Sequence, residues 1–347
     1  MFGTSGSSLT AAKSNPNNDF EVDQVQPDGI SSLAFSPTPD NFLVATSWNN
    51  EIRFWQVMPN GQSMPKAMTS SADPLLCCAW GSDNQNVFFA GADKAVKHWI
   101  PSTNQTQQLG THDSVVKEME WVKDVGMLCT GSWDRTLRWW DPRSAGSPKA
   151  NVSLPERCYS MSAVYPLLVV ACGNRGIVIY DLRNPATPYK TVESSLREQT
   201  RSVACFPDRT GFAVGSIEGR VSVQHVEEKD AGKNFAFRCH RVEPGPDIYA
   251  VNQIRFHPGF GTFATCGGDG VVNFWDKEAK QRLKLFASVG QPISASNFNH
   301  DGTIFGYAAS YDWYKGSQFY NKNEASRIFL HAVSELDIKP RGKKNTR

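Results

Sequence analysis

Short runs of β-branched, aromatic and aliphatic residues recur along this chain, separated by polar turns. SSLAFSP, LLCCAW, VKEMEW, SVACFP, NQIRFHP and SASNFN make one set, and FLVATS, VFFAGA, MLCTGS, LLVVACG, GFAVGS and FATCGG make another. Gly, Asn and Asp punctuate the gaps, as they do between strands. The runs are too short and too rich in strand formers for amphipathic helices of ordinary length. A longer period overlies them. In GSWDRTLRWWD, residues 131–141, the turn residue Asp134 precedes Trp140 by six positions. The same frame joins Asn49 to Trp55, Asp93 to Trp99, Asn174 to Tyr180, Glu218 to Gln224 and Asp269 to Trp275. Successive frame ends lie 44, 41, 40, 44 and 51 positions apart. A seventh copy opens at SYDW, residues 310–313, and its last strand is expected at SRIFLHAV, residues 326–333. This is the spacing of a four-stranded propeller blade.

One such blade cannot bury both faces of its sheet, whereas a ring of blades can. The pattern therefore predicts an all-β fold, a seven-bladed β-propeller of WD repeats over residues 20–338. FEVDQV, residues 20–25, is expected to complete the last blade beside the C-terminal strand and close the ring. Within the frame, His112, Thr130, Asp134 and Trp140 read as the buried hydrogen-bond chain of a WD repeat, each polar group satisfied by the next. Only that blade displays the whole set in sequence. The blades carrying Asn174 with Tyr180 and Glu218 with Gln224 are expected to rely more on apolar packing.

Composition adds little to the fold but excludes several chemistries. The chain has 347 residues, 40% of them hydrophobic, and a net charge of +2. None of its eight cysteines forms a C-x-x-C pair, and Cys77 and Cys78 are adjacent; such thiols read as reduced, intracellular and packed as small hydrophobes. Residues 1–19, rich in Ser, Asn, Gly and Thr, are expected to be disordered. Residues 339–347, KPRGKKNTR, form a basic tail, read first as a solvated end and second as a weak phosphate or import-receptor contact. No signal peptide is legible, and no apolar stretch is long enough to span a bilayer, so membrane insertion is not expected. There is no P-loop, no H-E-x-x-H zinc motif and no G-x-S-x-G nucleophile turn. GGDG, residues 267–270, reads as a turn, and the seven histidines are scattered. No catalysis, cofactor or metal is expected.

Three stretches go beyond a generic propeller: GSWDRTLRWWDPR (131–143), DIYAVNQIRFHPGFGTFATCGGDGVVNFWDKEAKQRLK (247–284) and QPISASNFNHDGTIFGYAASYDWYKG (291–316). Together they resemble the WD-repeat messenger-RNA export factor family of the nuclear pore, over about residues 20–342. The resemblance implies residence in the nucleus and at the pore, with cytoplasmic shuttling and contacts to export machinery. It also implies two surfaces. On the top face, a GLEBS hairpin of a phenylalanine–glycine nucleoporin would dock near Trp48, Trp133, Arg157 and Arg201. Trp48 and Trp133 precede the turn residues Asn49 and Asp134, a solvent-facing position that favours an interface over a core role. In a basic groove at the side of blades five and six, single-stranded RNA would meet Arg220, Phe237, Trp275, Lys277, Lys280 and Arg282. Cations there neutralise phosphates while the aromatics offer stacking faces. Trp275 is also a frame residue, so its competing reading is structural. With so small a net charge, RNA affinity would come from a local patch and be modest and salt-sensitive.

Two other families share parts of this pattern. The spindle-checkpoint WD-repeat protein also binds GLEBS segments. Substrate receptors of cullin–RING ubiquitin ligases carry W-D-x-R at a blade end, matched here by Trp140-Asp141-Pro142-Arg143 and approached by Tyr180-Asp181-Leu182-Arg183. The longer connection 227–246 is expected to frame the side groove, and the insertion 314–325 to lengthen blade seven.

Overall fold

The computed structural model describes residues 15–242 and 244–341. Its strands pair, antiparallel throughout, into seven four-stranded sheets. In chain order the blades span residues 30–70, 75–111, 116–153, 158–193, 200–238, 251–285 and 293–332. The first strand of each blade lies innermost, and each touches the first strand of the next blade, including the seventh against the first. The expected seven-bladed ring is therefore closed.

Burial explains which runs form which strands. Inner strands such as Leu75–Trp80, Val87–Gly91, Leu167–Cys172 and Gly211–Ser216 are buried along their whole length. Neighbouring blades cover both of their faces, so they read as continuous apolar runs rather than alternating ones. Outer strands such as Gln105–Thr111 are mostly exposed and polar. The core is divided into seven clusters, each at a junction of consecutive blades. One joins Phe54 of blade 1 to Trp80, Val87, Phe89 and Trp99 of blade 2; another joins Phe274 of blade 6 to Phe298, Phe305 and Phe329 of blade 7. Burial of each such side chain is worth about 1.5–3 kcal/mol, and every blade needs both neighbours to obtain it.

Each innermost strand carries a bulge immediately after its first residue, at Ile30/Ser32, Leu75/Cys77, Val116/Glu118, Cys158/Ser160, Thr200/Ser202, Val251/Gln253 and Ile293/Ala295. A bulge re-aims the extra side chain and tightens the local twist.

The ring closes as expected, through a shorter ladder than 20–25. Phe20–Glu21 pairs with Arg327–Ala332, Phe20 opposite Leu330 and Glu21 opposite Phe329. Val22 N–H adds a bond to the Ile328 carbonyl at 2.8 Å. A polar latch extends this seam. Asp19, almost wholly buried, accepts from the Tyr307 hydroxyl at 2.5 Å and lies 2.5 Å from His331 Nδ1. Asn15 Nδ2 donates to the Tyr307 oxygen. Residues 15–19 therefore belong to the fold, a correction to the expected disorder of 1–19: their side chains answer buried polar groups of blade 7. Residues 1–14 of that segment, and 342–347 of the basic tail, lie outside the described residues. Within the described part of the tail, Arg341 donates to the Leu283 carbonyl at 3.2 Å.

Candidate interaction surfaces

The frame residues of blade 3 make an unbroken chain. Trp140 Nε1–H donates to Thr130 Oγ1 at 2.8 Å, and His112 lies 2.8 Å from Thr130 Oγ1 through Nε2 and 2.8 Å from Asp134 Oδ2 through Nδ1. Burial holds the His112 imidazole below its usual range despite the Asp134 charge. Burial would raise the Asp134 carboxyl, but bonds from the Thr136 hydroxyl, the Asp113 amide and His112 outweigh it and hold it low. A neutral imidazole donating to a carboxylate satisfies every member. A second complete chain exists in blade 6, correcting the expectation that blade 3 alone has the set. His240 Nδ1 lies 2.9 Å from Asp269 Oδ1, His240 Nε2 lies 2.9 Å from Thr265 Oγ1, and Trp275 Nε1–H donates to Thr265 at 2.9 Å. Blade 4 has no such chain, and the buried Tyr180 hydroxyl is without a hydrogen-bond partner.

The residues inserted at the bulges meet at one end of the channel. Ser31, Leu76, Lys117, Tyr159, Arg201, Asn252 and Ser294, one from each blade, line a depression of about 540 Å³ at its mouth. Trp48 and Trp133 stand on its rim, 45% and 38% exposed. Their backbones are pinned, Trp48 N–H to the Gly29 carbonyl and Trp133 N–H to the Val115 carbonyl, so the indoles project without joining the core. The structure thus brings Trp48, Trp133 and Arg201 around one cavity. Arg157 is exposed on a loop of the same face, outside those walls.

Sequence reasoning passed over a third rim tryptophan, Trp313. It stacks on Tyr320 at 5.0 Å and 15° and meets Tyr311 edge-on at 5.4 Å. Its φ of 62° lies in the left-handed region, which bulky side chains rarely adopt. The insertion 314–325 therefore adds aromatics to the top face, with Tyr314 and Phe319 exposed. In the sequence SYDW is legible only as a frame start. Charges at the mouth are divided: Lys117 and Arg201 on blades 3 and 5, Asp28 and Asp312 near blades 1 and 7.

The second surface lies on the outer wall between blades 5 and 6. Connection 227–246 supplies the outer strand of blade 5 itself, Phe235–Arg238, after a 3-10 turn at Glu228–Lys233. Phe235 and Phe237 turn toward blade 6, where Phe237 and Trp275 approach to 4.6 Å at 51°. Lys280 holds its ammonium 4.7 Å from the Phe235 ring, and the Arg282 guanidinium lies 6.0 Å from Trp275. Arg238 and Arg241 join Trp275 and Arg282 around a hollow of about 330 Å³. The Trp275 indole is both frame and surface: its N–H is tied inward while one side of the ring faces the hollow.

Two expected groove residues are elsewhere. Lys277 is buried, with its ammonium 4.7 Å from the Phe206 ring, 3.5 Å from Asp208 and paired with Glu278. Its charge is already neutralised. Arg220 faces the opposite side of blade 5, because the strand alternates and Val221 and Val223 take the blade 6 face. Phe237, Trp275, Lys280 and Arg282 remain together.

All eight cysteines are buried free thiols, and burial raises Cys205 and Cys266 to about 12. Arg143 and Arg183 each fold back onto Asp141 and Asp181 as bidentate partners, so both W-D-x-R-like segments are satisfied within the chain.

The repeat family described as "WD domain, G-beta repeat" matches at residues 23–56, 103–141 and 237–276. Full-length relatives are close. The "Poly(A)+ RNA export protein" of Schizosaccharomyces pombe is 45% identical over 97% of each chain. An "mRNA export factor" of Pongo abelii is 46% identical over 99% of this chain and 98% of the relative. "Protein Rae1" of Drosophila melanogaster is 44% identical over 98% and 99%. With identity at that level from end to end, and seven four-stranded blades of which two carry the repeat's complete hydrogen-bond chain, the protein belongs to the family of WD-repeat messenger-RNA export factors.

Proposed function

We propose that this chain is a non-catalytic adaptor in messenger-RNA export that holds two ligands on separate faces. The GLEBS hairpin of a phenylalanine–glycine nucleoporin lies across the channel mouth, and single-stranded RNA lies in the groove between blades 5 and 6. Family membership supports the role in export and, with it, work between nucleus and cytoplasm; residence at the pore follows from the nucleoporin partner. The observation that carries the RNA reading is the outer groove, where Phe237 and Trp275 form an aromatic wall beneath Lys280 and Arg282. Stacking there is worth about 1–3 kcal/mol per base, and the cations offset phosphate charge. The hairpin reading rests on exposed Trp48 and Trp133 beside Arg201, residue types that dominate interface energies.

The test is a pair of swapped defects. Lys280→Glu with Arg282→Glu should weaken RNA binding, followed by fluorescence anisotropy, about tenfold or more, and leave titration of the hairpin peptide within about twofold. Trp48→Ala with Trp133→Ala should do the reverse, costing hairpin binding about 2 kcal/mol or more. Equal loss of both ligands in a variant that melts normally would refute the two-surface arrangement.

A further inference from the structure

Blade 5 carries a pair of arginines of which one, Arg238, borders the groove between blades 5 and 6 and the other, Arg220, does not. Arg220 and Arg238 stand directly opposite each other on the strands Arg220–His225 and Phe235–Arg238. Like charges in that position oppose sheet pairing, so the pair does not serve the sheet. Alternation fixes their direction. Val221, Phe235 and Phe237 pack toward blade 6, which leaves Arg220, Ser222, Ala236 and Arg238 on the side of blade 4. The Ser222 hydroxyl lies 2.8 Å from that of Ser195, on the loop entering blade 5. There Arg197 and Arg220 line a depression of about 240 Å³ between blades 4 and 5. Arg238, at the end of its strand, borders the hollow that holds Arg282 rather than this depression, so the paired Arg220 and Arg238 link the two.

Among the described residues the single carboxylate in the depression is Glu218. Its Oε1 accepts the Arg197 backbone N–H at 3.0 Å, and its Oε2 lies 3.9 Å from Arg220. Arg197, Arg238 and Arg282 are exposed and form no ion pair among the described residues. A surplus of positive charge thus runs from blade 6 over the edge of blade 5 to blade 4.

We infer that this row is a phosphate track. RNA whose bases rest on Phe237 and Trp275 continues across blade 5, its phosphates passing Arg238, Arg220 and Arg197. The inference rests on the RNA reading above. Among the described residues no aromatic side chain lines the blade 4–5 depression, so contact there is to backbone, independent of sequence and dependent on length.

Anisotropy titrations of the full chain with labelled oligouridylates of about 4 and about 15 nucleotides test it. Arg282→Glu should weaken both lengths. Arg197→Glu should leave the short oligomer within about twofold, weaken the long one about fivefold, and reduce its log–log salt slope by about 0.7. Arg197→Lys should restore most of the loss. An unchanged long oligomer with Arg197→Glu, or equal losses at both lengths, overturns the track while leaving the groove reading intact. No effect of Arg282→Glu on either length overturns the groove reading and the track with it. A labelled oligoglutamate whose binding needs Arg197 when that of the long RNA does not would assign the depression to an acidic peptide and overturn the track.

Discussion

At the scale of single residues, hydrogen-bond chains decide which side chains are free to bind. Trp140 and Trp275 are both held by a threonine hydroxyl, but only Trp275 also lines an open hollow. His240→Ala would strip Thr265 and Asp269 of a buried partner, and a loss of about 2–3 kcal/mol in unfolding free energy is expected, read as a lower denaturant midpoint. His112 predicts a pH effect. Its folded value is depressed, so the unfolded chain binds more protons over the window between the two values. Its contribution is whole above about pH 6.5 and is lost as pH falls below that. Urea midpoints should decline there in the parent chain and decline less in His112→Gln. Lys277→Ala, with the ammonium buried on Phe206, should lower the melting temperature and leave the salt slope of RNA binding unchanged. The sequence made the blade 3 chain legible because 22 positions separate His112 from Asp134. It hid the blade 6 chain because the loop from His240 to the first strand of blade 6 at Val251 is longer than that from His112 to Val116, which puts His240 outside the frame, 29 positions before Asp269.

Strands and their junctions set what could be read about direction. Six frames in the chain, five of them ending in an aromatic residue, are enough to give the ring, since each frame is one sheet and each sheet needs two neighbours. The sides taken by particular residues were harder. Arg220 and Phe237 belong to adjacent strands of blade 5, yet alternation sends them to opposite faces. The bulges break alternation at the first step of every inner strand, so nothing in the period announces that Lys117, Tyr159 and Arg201 look into one cavity. The seam is the weakest junction by ladder length, two paired residues at Phe20–Glu21, and its polar latch compensates. Deleting residues 20–27 should lower the melting temperature by many degrees. Asp19→Ala, which leaves the buried Tyr307 hydroxyl and His331 facing a gap, should cost about 2 kcal/mol in a chemical melt.

For the whole molecule, closure of the ring makes the loops at its mouth and the grooves on its rim parts of one stiff body. A net charge of +2 gives no long-range pull on nucleic acid, so under the proposed function attraction would be confined to the rim where arginines and lysines gather. Raising salt from about 0.05 to 0.2 M should therefore weaken RNA binding steeply, and hairpin binding, led by indole contacts, much less. The seam has a further consequence, for synthesis. Asp19 and His331 are 312 positions apart, so the first latch residue leaves the ribosome long before its partner exists. At about 5–20 residues per second the wait is roughly 15–60 s. Throughout that time the outer side of blade 1 that should meet blade 7 is uncovered. Until the last strand emerges the nascent chain exposes apolar surface that the closed ring will cover, and truncation before residue 327 should leave the seam open rather than close a smaller ring.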